Sequence, residues 1–185
     1  MIISLRGTSG SGKSHLVREV VRRYGRYKSV YATGRRRPLY GLHGRSADGR
    51  CLVVPGHYEI ANGGVDTLKT LDEAYNIARW ADSCGHHVLM EGKNMSDGCG
   101  QVAALCVEGR DVRVVHVDVS VEQCIASVRQ RGHKISEASI RKTDAKVRRE
   151  MERFTCRKFA GDRTECLAKV LEWLELETVS PRQGS

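Results

Sequence analysis

The most constraining feature of this sequence is a glycine-rich segment close to its start. Gly7 and Gly12 are separated by four residues and are followed directly by Lys13 and Ser14, which is the complete pattern of a phosphate-binding P-loop. A short apolar strand is predicted before the segment, and apolar residues at helical spacing follow it. A strand, a glycine-rich loop and a helix in this order predict that the chain binds the phosphates of a nucleotide.

Each part of this segment has a physical role. Glycines allow backbone N–H groups to surround phosphate oxygens, and the N-terminus of the following helix adds a favourable dipole. We expect Lys13 to be a solvent-facing ligand of the β- and γ-phosphates and Ser14 to bind Mg²⁺. The predicted ATP-binding residues are Gly7, Thr8, Ser9, Gly10, Ser11, Gly12, Lys13 and Ser14. The motif therefore predicts an ATP- and Mg²⁺-dependent phosphotransferase.

Outside this segment, strand-like patterns alternate with helical periodicity. The predicted strands are residues 2–6, 28–33, 39–43, 50–54, 87–91 and 112–119, with a hairpin turn at Asp48-Gly49. The predicted helices are residues 13–24, 70–84, 121–131, 136–154 and 165–176. No internal repeat or low-complexity linker divides the chain. We therefore predict one domain over residues 1–185, with a three-layer α/β fold and a mainly parallel sheet.

Three side chains outside the P-loop are candidates to complete a nucleotide site. Glu91 ends a buried strand, where a carboxylate is costly without a partner, so we expect it near the Mg²⁺ ion. Arg129 and Arg131 end a helix, where arginines can close over a triphosphate and neutralise charge in the transition state. The structural alternatives are an exposed loop glutamate and a pair of solvated arginines at a helix end.

The acceptor of the phosphate should meet its base in the polar, glycine-rich segment over residues 56–67. Asp66 is the first candidate for the general base, because adjacent glycines permit close approach of the backbone, and Glu59 is the second. His57 and Tyr58 are candidates to bind the acceptor. The alternative for Asp66 is an ordinary role in capping a turn.

Positive charge is concentrated in two segments of a chain whose net charge is +9. Between residues 20 and 50, nine arginines and lysines are opposed by Asp48 alone, and residues 129–163 are also strongly basic. This distribution suggests a polyanionic partner. Arg35, Arg36 and Arg37 are the candidate acceptor-binding arginines. The alternative is that some arginines bind nucleotide phosphates and the others are solvated.

Composition excludes several other classes of protein. No stretch approaches the roughly 18 apolar residues that a membrane span needs, and the start of the chain lacks the charged-then-apolar order of a signal peptide. We therefore expect a cytoplasmic protein without a membrane partner. The seven cysteines form no CxxC pair, which argues against a zinc site or a disulfide framework.

Residues 129–143, followed by Glu150, resemble the lid of guanylate kinases, with an arginine pair, a glycine and further basic residues. Residues 29–38 resemble the strand that leads into the acceptor subdomain of that family. The resemblance implies a small β-rich acceptor insert at about residues 35–68 and a helical lid at about residues 129–145. Thr143 stands where guanylate kinases usually have a further lid arginine.

A looser resemblance connects the chain to bacteriophage kinases that phosphorylate 5-hydroxymethyluracil in DNA. It depends on the P-loop, on the segment His57-Tyr58-Glu59 with Gly63-Gly64-x-Asp66-Thr67, and on the small size. It implies a kinase that modifies DNA and works in the host cytoplasm if it is encoded by a phage.

Three functions remain open at this point. The first is a kinase that acts on a hydroxyl of DNA, on a modified pyrimidine or at a polynucleotide end. We prefer it because a DNA backbone uses many cations, whereas a nucleoside monophosphate needs few. The second is a nucleoside monophosphate kinase. The third is a nucleotide-binding ATPase module without a phosphate acceptor.

Overall fold

The computed structural model describes residues 1–25, 27–45, 49–58, 64–92, 99–132 and 134–175. The strands within these ranges are β1 (Ile2–Arg6), β2 (Tyr27–Val30), β3 (Tyr40–Arg45), β4 (Cys51–Pro55), β5 (His87–Glu91), β6 (Val112–Val117) and β7 (Arg157–Gly161). The helices are α1 (Lys13–Tyr24), α2 (Leu71–Ser83), α3 (Cys99–Val107), α4 (Val121–Gln130), α5 (Glu137–Arg153) and α6 (Arg163–Trp173), and a 3₁₀ turn covers Val65–Thr67. None of these helices is long and apolar enough to cross a membrane.

The seven strands described form one sheet in the order β2-β3-β4-β5-β1-β6-β7. Strand β1 lies between β5 and β6 and is parallel to both, and the parallel pairs β4–β5 and β6–β7 extend the sheet on either side. Because the carboxyl ends of parallel strands meet at one edge, the P-loop lies there together with residues 56–58 after β4 and with Gly92 after β5.

Helices cover both faces of this sheet. On one face, α1 and α6 contribute Leu16, Val17 and Val170 to a buried cluster. On the other face, α2 and α3 pack Ala78 and Leu105 against the strands. Strands covered on both sides have near-continuous apolar sequences, and all five residues of β1 are buried. The predicted three-layer α/β fold is confirmed.

The β-rich segment belongs to the same sheet. Strands β3 and β4 form the predicted antiparallel hairpin, although the turn residues 46–48 lie outside the described residues. Strand β2 pairs with β3, and β4 pairs with β5, so the hairpin joins the central sheet directly. Because Val30 pairs with Tyr40, and Tyr40 with Pro55, the end of β2 reaches the same edge as the P-loop.

One strand and one α-helix were not predicted, and the reasons are physical. Strand β7 is an edge strand with exposed residues such as Arg157 and Lys158, so it lacks the apolar pattern of a buried strand. Helix α3 is short and begins Cys99-Gly100, with neither acidic residues in its first turn nor basic ones in its last. Helix α6 begins at Arg163, before the predicted start, because Asp162 forms a capping box with Glu165.

Candidate active site

The P-loop connects β1 to α1 at the centre of the sheet edge, as predicted. Gly10 has a φ of +91°, which favours glycine. A Cβ atom at Gly10 would also overlap the backbone carbonyl of Cys124 at the start of α4. The loop therefore has its shape because glycine permits both the backbone angle and the close approach of the neighbouring helix.

Lys13 lies at the floor of this loop. Its Nζ atom donates hydrogen bonds to the carbonyls of Gly7 (2.7 Å) and Thr8 (3.1 Å). The side chain is only 7% exposed, so the expectation of a solvent-facing lysine was wrong. Burial lowers the pKa of the ammonium, while the nearby Glu91 carboxylate opposes that shift. A cation in a glycine-rich loop that leads into the first turn of α1 suits a polyphosphate, so these residues fit the phosphates of ATP.

Contacts from distant parts of the chain hold the loop in place. Arg163, the first residue of α6, donates from Nε to the carbonyl of Ser11 (2.8 Å) and from Nη2 to that of Gly10 (3.1 Å). The hydroxyl of Thr8 donates to the carbonyl of Ile140 in α5 (3.2 Å). Sequence reasoning missed Arg163, because no local pattern connects a helix start to a loop about 150 residues earlier.

Ser14 and Glu91 meet beside Lys13, as the sequence predicts for a magnesium site. The Ser14 hydroxyl donates to Glu91 Oε2 at 2.9 Å. Burial raises the pKa of Glu91, and the charge of Lys13 lowers it. The Tyr58 hydroxyl is buried against the same carboxylate, and burial followed by the charge of Glu91 raises its pKa well above the ordinary value.

A hydroxyl oxygen and a carboxylate oxygen are ligands suited to Mg²⁺. Within the described ranges, no group of three or more His, Cys, Asp or Glu residues could hold a metal ion without a nucleotide. Mg²⁺ is commonly bound by one or two carboxylates together with substrate phosphates. Ser14 and Glu91 therefore fit a magnesium ion that arrives with the nucleotide.

Hydrogen bonds among His57, Gly64 and Thr67 bring the two ends of the acceptor segment together, and these three residues are called here the neck. Gly64 N donates to the His57 carbonyl at 2.5 Å, and the Thr67 hydroxyl donates to the Gly64 carbonyl at 2.7 Å while accepting from His57 N at 3.0 Å. This closure places the 3₁₀ turn beside the nucleotide site. Asp66 is exposed in that turn, and its charge raises the pKa values of Lys13, Glu91 and Tyr58. Glu59 lies outside the described residues.

The two predicted arginines lie at the corner between α4 and α5, where they make different contacts. Arg131 donates from Nε to the Ser127 carbonyl at 3.1 Å, and the Ser127 hydroxyl accepts at 3.5 Å from Arg163, which holds the P-loop. Arg131 therefore lies near the P-loop. Arg129 is exposed and pairs with Glu137 at the start of α5. Thr143 is buried, so the position of a further lid arginine in guanylate kinases faces the interior here.

The arginines of the first basic segment are not equally available to a ligand. Arg35 is half-buried and pairs with Glu73 of α2. Arg22 and Arg23 both pair with Glu19 on α1. Arg36 and Arg37 are exposed after β2, on the same edge of the sheet as the P-loop. The structure thus favours Arg36 and Arg37 over Arg35 as contacts for an acceptor.

Replacement of Gly64 tests whether the neck positions Glu91. Gly64 has a φ of +98°, and a Cβ atom there would overlap Glu91 Oε1. We expect Gly64→Ala to reduce kcat by about tenfold or more, because a displaced Glu91 carboxylate would no longer be positioned to hold Mg²⁺. Gly85→Ala is the matched control, since Gly85 also has a positive φ of +79° but has open space around it. Equal kinetic losses in both variants would contradict this role of the neck.

The fold and the central P-loop define the class of the protein, which is that of the P-loop nucleotide-binding proteins. No family model matches the sequence. Deoxyadenosine kinase from M. mycoides with bound dATP aligns with 95% of this chain and 100% of its own, with a TM-score of 0.50 and 13% identity, which shows the fold alone. A "5-hmdU DNA kinase" of Pseudomonas phage PaMx11 is 41% identical over 132 residues, which are 70% of this chain and 68% of that protein.

The chain belongs to the family of this phage kinase. It is therefore a kinase, as the P-loop predicted, and the resemblance to bacteriophage DNA kinases that was noted in the sequence is confirmed.

Proposed function

We propose that this kinase transfers the γ-phosphate of ATP to the hydroxymethyl group of 5-hydroxymethyluracil in DNA. The observation that carries this proposal is the 41% identity to a phage 5-hmdU DNA kinase. The contacts of Lys13 with the P-loop and of Ser14 with Glu91 support it. A hydroxyl at a polynucleotide end is the other DNA acceptor to be tested, because the same chemistry applies to any properly placed hydroxyl.

On the donor side, the backbone of the P-loop surrounds the triphosphate, and Lys13 neutralises charge on the transferring group. Ser14 and Glu91 would hold Mg²⁺, which supplies further positive charge to the phosphates. Arg131 lies near the P-loop and adds positive charge from the α4–α5 corner, and Arg129 joins it when that corner closes.

On the acceptor side, Asp66 takes the proton of the attacking hydroxyl. The hydroxyl oxygen forms a bond to the γ-phosphorus while the bond from that phosphorus to the β–γ bridging oxygen breaks, so ADP leaves and the product is a phosphate monoester. Glu59 is the second candidate for this base. His57 and Tyr58 border the acceptor, since Tyr58 is buried against Glu91 and His57 closes the neck of the segment.

A panel of acceptors with γ-labelled ATP tests the function. We expect label in a duplex that contains 5-hydroxymethyluracil, and none in the same duplex with thymine and blocked 5′ ends. Label only at unblocked 5′ ends would assign a polynucleotide-end kinase instead. Transfer to free GMP or dGMP would favour a nucleoside monophosphate kinase. Release of label only to water would identify an ATPase module and contradict the proposal.

Exposed arginines after β2 should determine affinity for the DNA backbone. We expect Arg36→Glu with Arg37→Glu to weaken duplex binding by about tenfold or more, because two phosphate contacts become repulsive. The slope of log affinity against log salt should become shallower by about 2, since each neutralised phosphate contributes roughly 0.9. Fluorescence anisotropy with labelled duplex at several salt concentrations measures both quantities.

The matched control reverses the charge at two arginine positions near the opposite edge of the sheet. Arg153 and Arg157 lie at the end of α5 and at the amino end of β7, away from the P-loop edge. Arg153→Glu with Arg157→Glu makes the same change in net charge and should alter DNA affinity much less. Equal losses in the two double variants would mean that total charge, rather than the surface after β2, determines binding.

A further inference from the structure

A pocket of about 240 Å³ lies on the α1 face of the sheet, next to the candidate active site. It is lined by Arg18, Val21, Arg22, Gly41, His43, Val54, Gly56 and Tyr58. We propose that this pocket, called here the α1 pocket, receives the target pyrimidine base after it has left the DNA stack. The inference depends on the proposed function and deepens it, because it says how the acceptor reaches the phosphate.

The size and walls of the α1 pocket suit one pyrimidine ring. Sites for drug-sized ligands occupy roughly 300–1,000 Å³, so a pocket of 240 Å³ is better matched to a single ring than to a whole nucleotide. Val21, Val54 and the ring of Tyr58 supply apolar surface for the faces of a base. Arg18 and His43 bring polar groups to the same pocket, as recognition of the edges of a base requires.

The α1 pocket is also close to the point of phosphate transfer. Ser14 and Arg18 are four residues apart on α1, so they lie on one side of the helix, about 6 Å apart along its axis. Ser14 contacts Glu91 in the nucleotide site, and Arg18 lines the pocket and donates to the Tyr58 carbonyl at 3.1 Å. Tyr58 borders the pocket and is buried against Glu91. A base in this pocket would hold its short hydroxymethyl arm near the phosphates.

Burial of the nucleotide site explains why the base must leave the stack. In a duplex, the 5-substituent of the pyrimidine projects into the major groove. However, Lys13 and Glu91 are each only 7% exposed and Tyr58 is 8% exposed, so the groups that would hold the phosphates lie in a recess, with Asp66 exposed in the neighbouring turn. An intact duplex is too wide to enter such a recess, whereas an extruded nucleotide can enter it.

The test measures extrusion of the target base by fluorescence and compares wild-type protein with a variant whose larger side chain fills the α1 pocket. The probe is a duplex in which 2-aminopurine lies next to 5-hydroxymethyluracil, because its fluorescence rises when the neighbouring base leaves the stack. With wild-type protein and a non-hydrolysable ATP analogue, we expect a several-fold rise in fluorescence. Val21→Phe should abolish this rise and increase KM for the DNA by about tenfold or more, because its ring occupies the space of the base. Affinity for the ATP analogue should stay unchanged.

Val107→Phe is the matched control, since Val107 is 88% exposed at the end of α3 and should behave as wild type. Circular dichroism establishes whether Val21→Phe folds, and Val21→Met, with a slimmer and more flexible side chain, replaces it if it does not.

A guanine opposite the target should lower KM for the DNA relative to an adenine at that position, because a mismatched base is extruded at lower cost.

Two outcomes distinguish failure of the inference about the pocket from failure of the proposed function. If wild-type protein phosphorylates 5-hydroxymethyluracil in DNA without a fluorescence rise, and Val21→Phe leaves KM unchanged, the inference about the pocket is overturned and the proposed function stands. If the acceptor panel shows no transfer to 5-hydroxymethyluracil in any DNA, the proposed function fails, and the inference falls with it.

Discussion

Lys13→Ala is expected to remove phosphate transfer almost completely. The ammonium is buried at the floor of the P-loop, with the carbonyls of Gly7 and Thr8 as hydrogen-bond partners. Loss of a charge contact to the transferring group costs on the order of 3 kcal/mol or more in the activation barrier, which is about a hundredfold or more in rate. Steady-state kcat/KM with labelled ATP and the preferred acceptor measures the loss.

The buried position of Lys13 requires a second variant. Alanine leaves a gap where the lysine stem was, and this gap reduces stability. Lys13→Met keeps most of the stem and removes only the charge, so it should lose activity to a similar extent while its thermal midpoint stays closer to wild type. Near-normal turnover by a folded Lys13→Met protein would contradict a role of this lysine in transfer.

Asp66→Asn is expected to have the second large effect. Asp66 is exposed in the 3₁₀ turn that follows Gly64, and Gly64 lies against the Glu91 carboxylate. Asp66 is therefore suitably placed for an acceptor that approaches the nucleotide site from solvent. Removal of a general base lowers kcat by about 10²–10⁴-fold. KM should change much less, because the base acts chiefly in the transition state.

Two further variants serve as controls for this prediction. Asp72→Asn makes the same chemical change at an exposed position in the first turn of α2, and should leave kcat close to wild type. Glu59→Gln tests the other candidate base. If Asp66→Asn is fully active and Glu59→Gln is inactive, then Glu59 is the base and Asp66 has only a structural role.

Local patterns predicted the parts of the molecule that local physics determines. Helix α1 has the predicted bounds, because the P-loop marks its start and Gly25 follows its last buried residue, Tyr24. Strands β1 and β5 have the predicted bounds because buried parallel strands are short apolar runs. The contact between Ser14 and Glu91 follows from these two results, since both residues lie at the carboxyl edge of adjacent strands.

Features that depend on distant contacts were not predicted. Arg163 holds the P-loop through backbone carbonyls, which carry no signal in the sequence. Arg35 appeared equivalent to its two neighbours in the basic run, but Glu73 of α2 engages it. The α1 pocket is formed by one face of a helix and two strands that follow it in the chain. Each of these depends on which surfaces meet after folding, and periodicity within one segment does not determine that.

The central place of β1 has a consequence for synthesis on the ribosome. Strand β1 precedes both of its partners in the chain, and these partners, β5 and β6, end at Glu91 and Val117. The helix that holds the P-loop begins later still, at Arg163. Since a chain emerges in the order of its synthesis, the apolar β1 stays without its partner strands until residue 117 has been added. The nascent chain should therefore acquire ATP binding only after α6 has also left the exit tunnel.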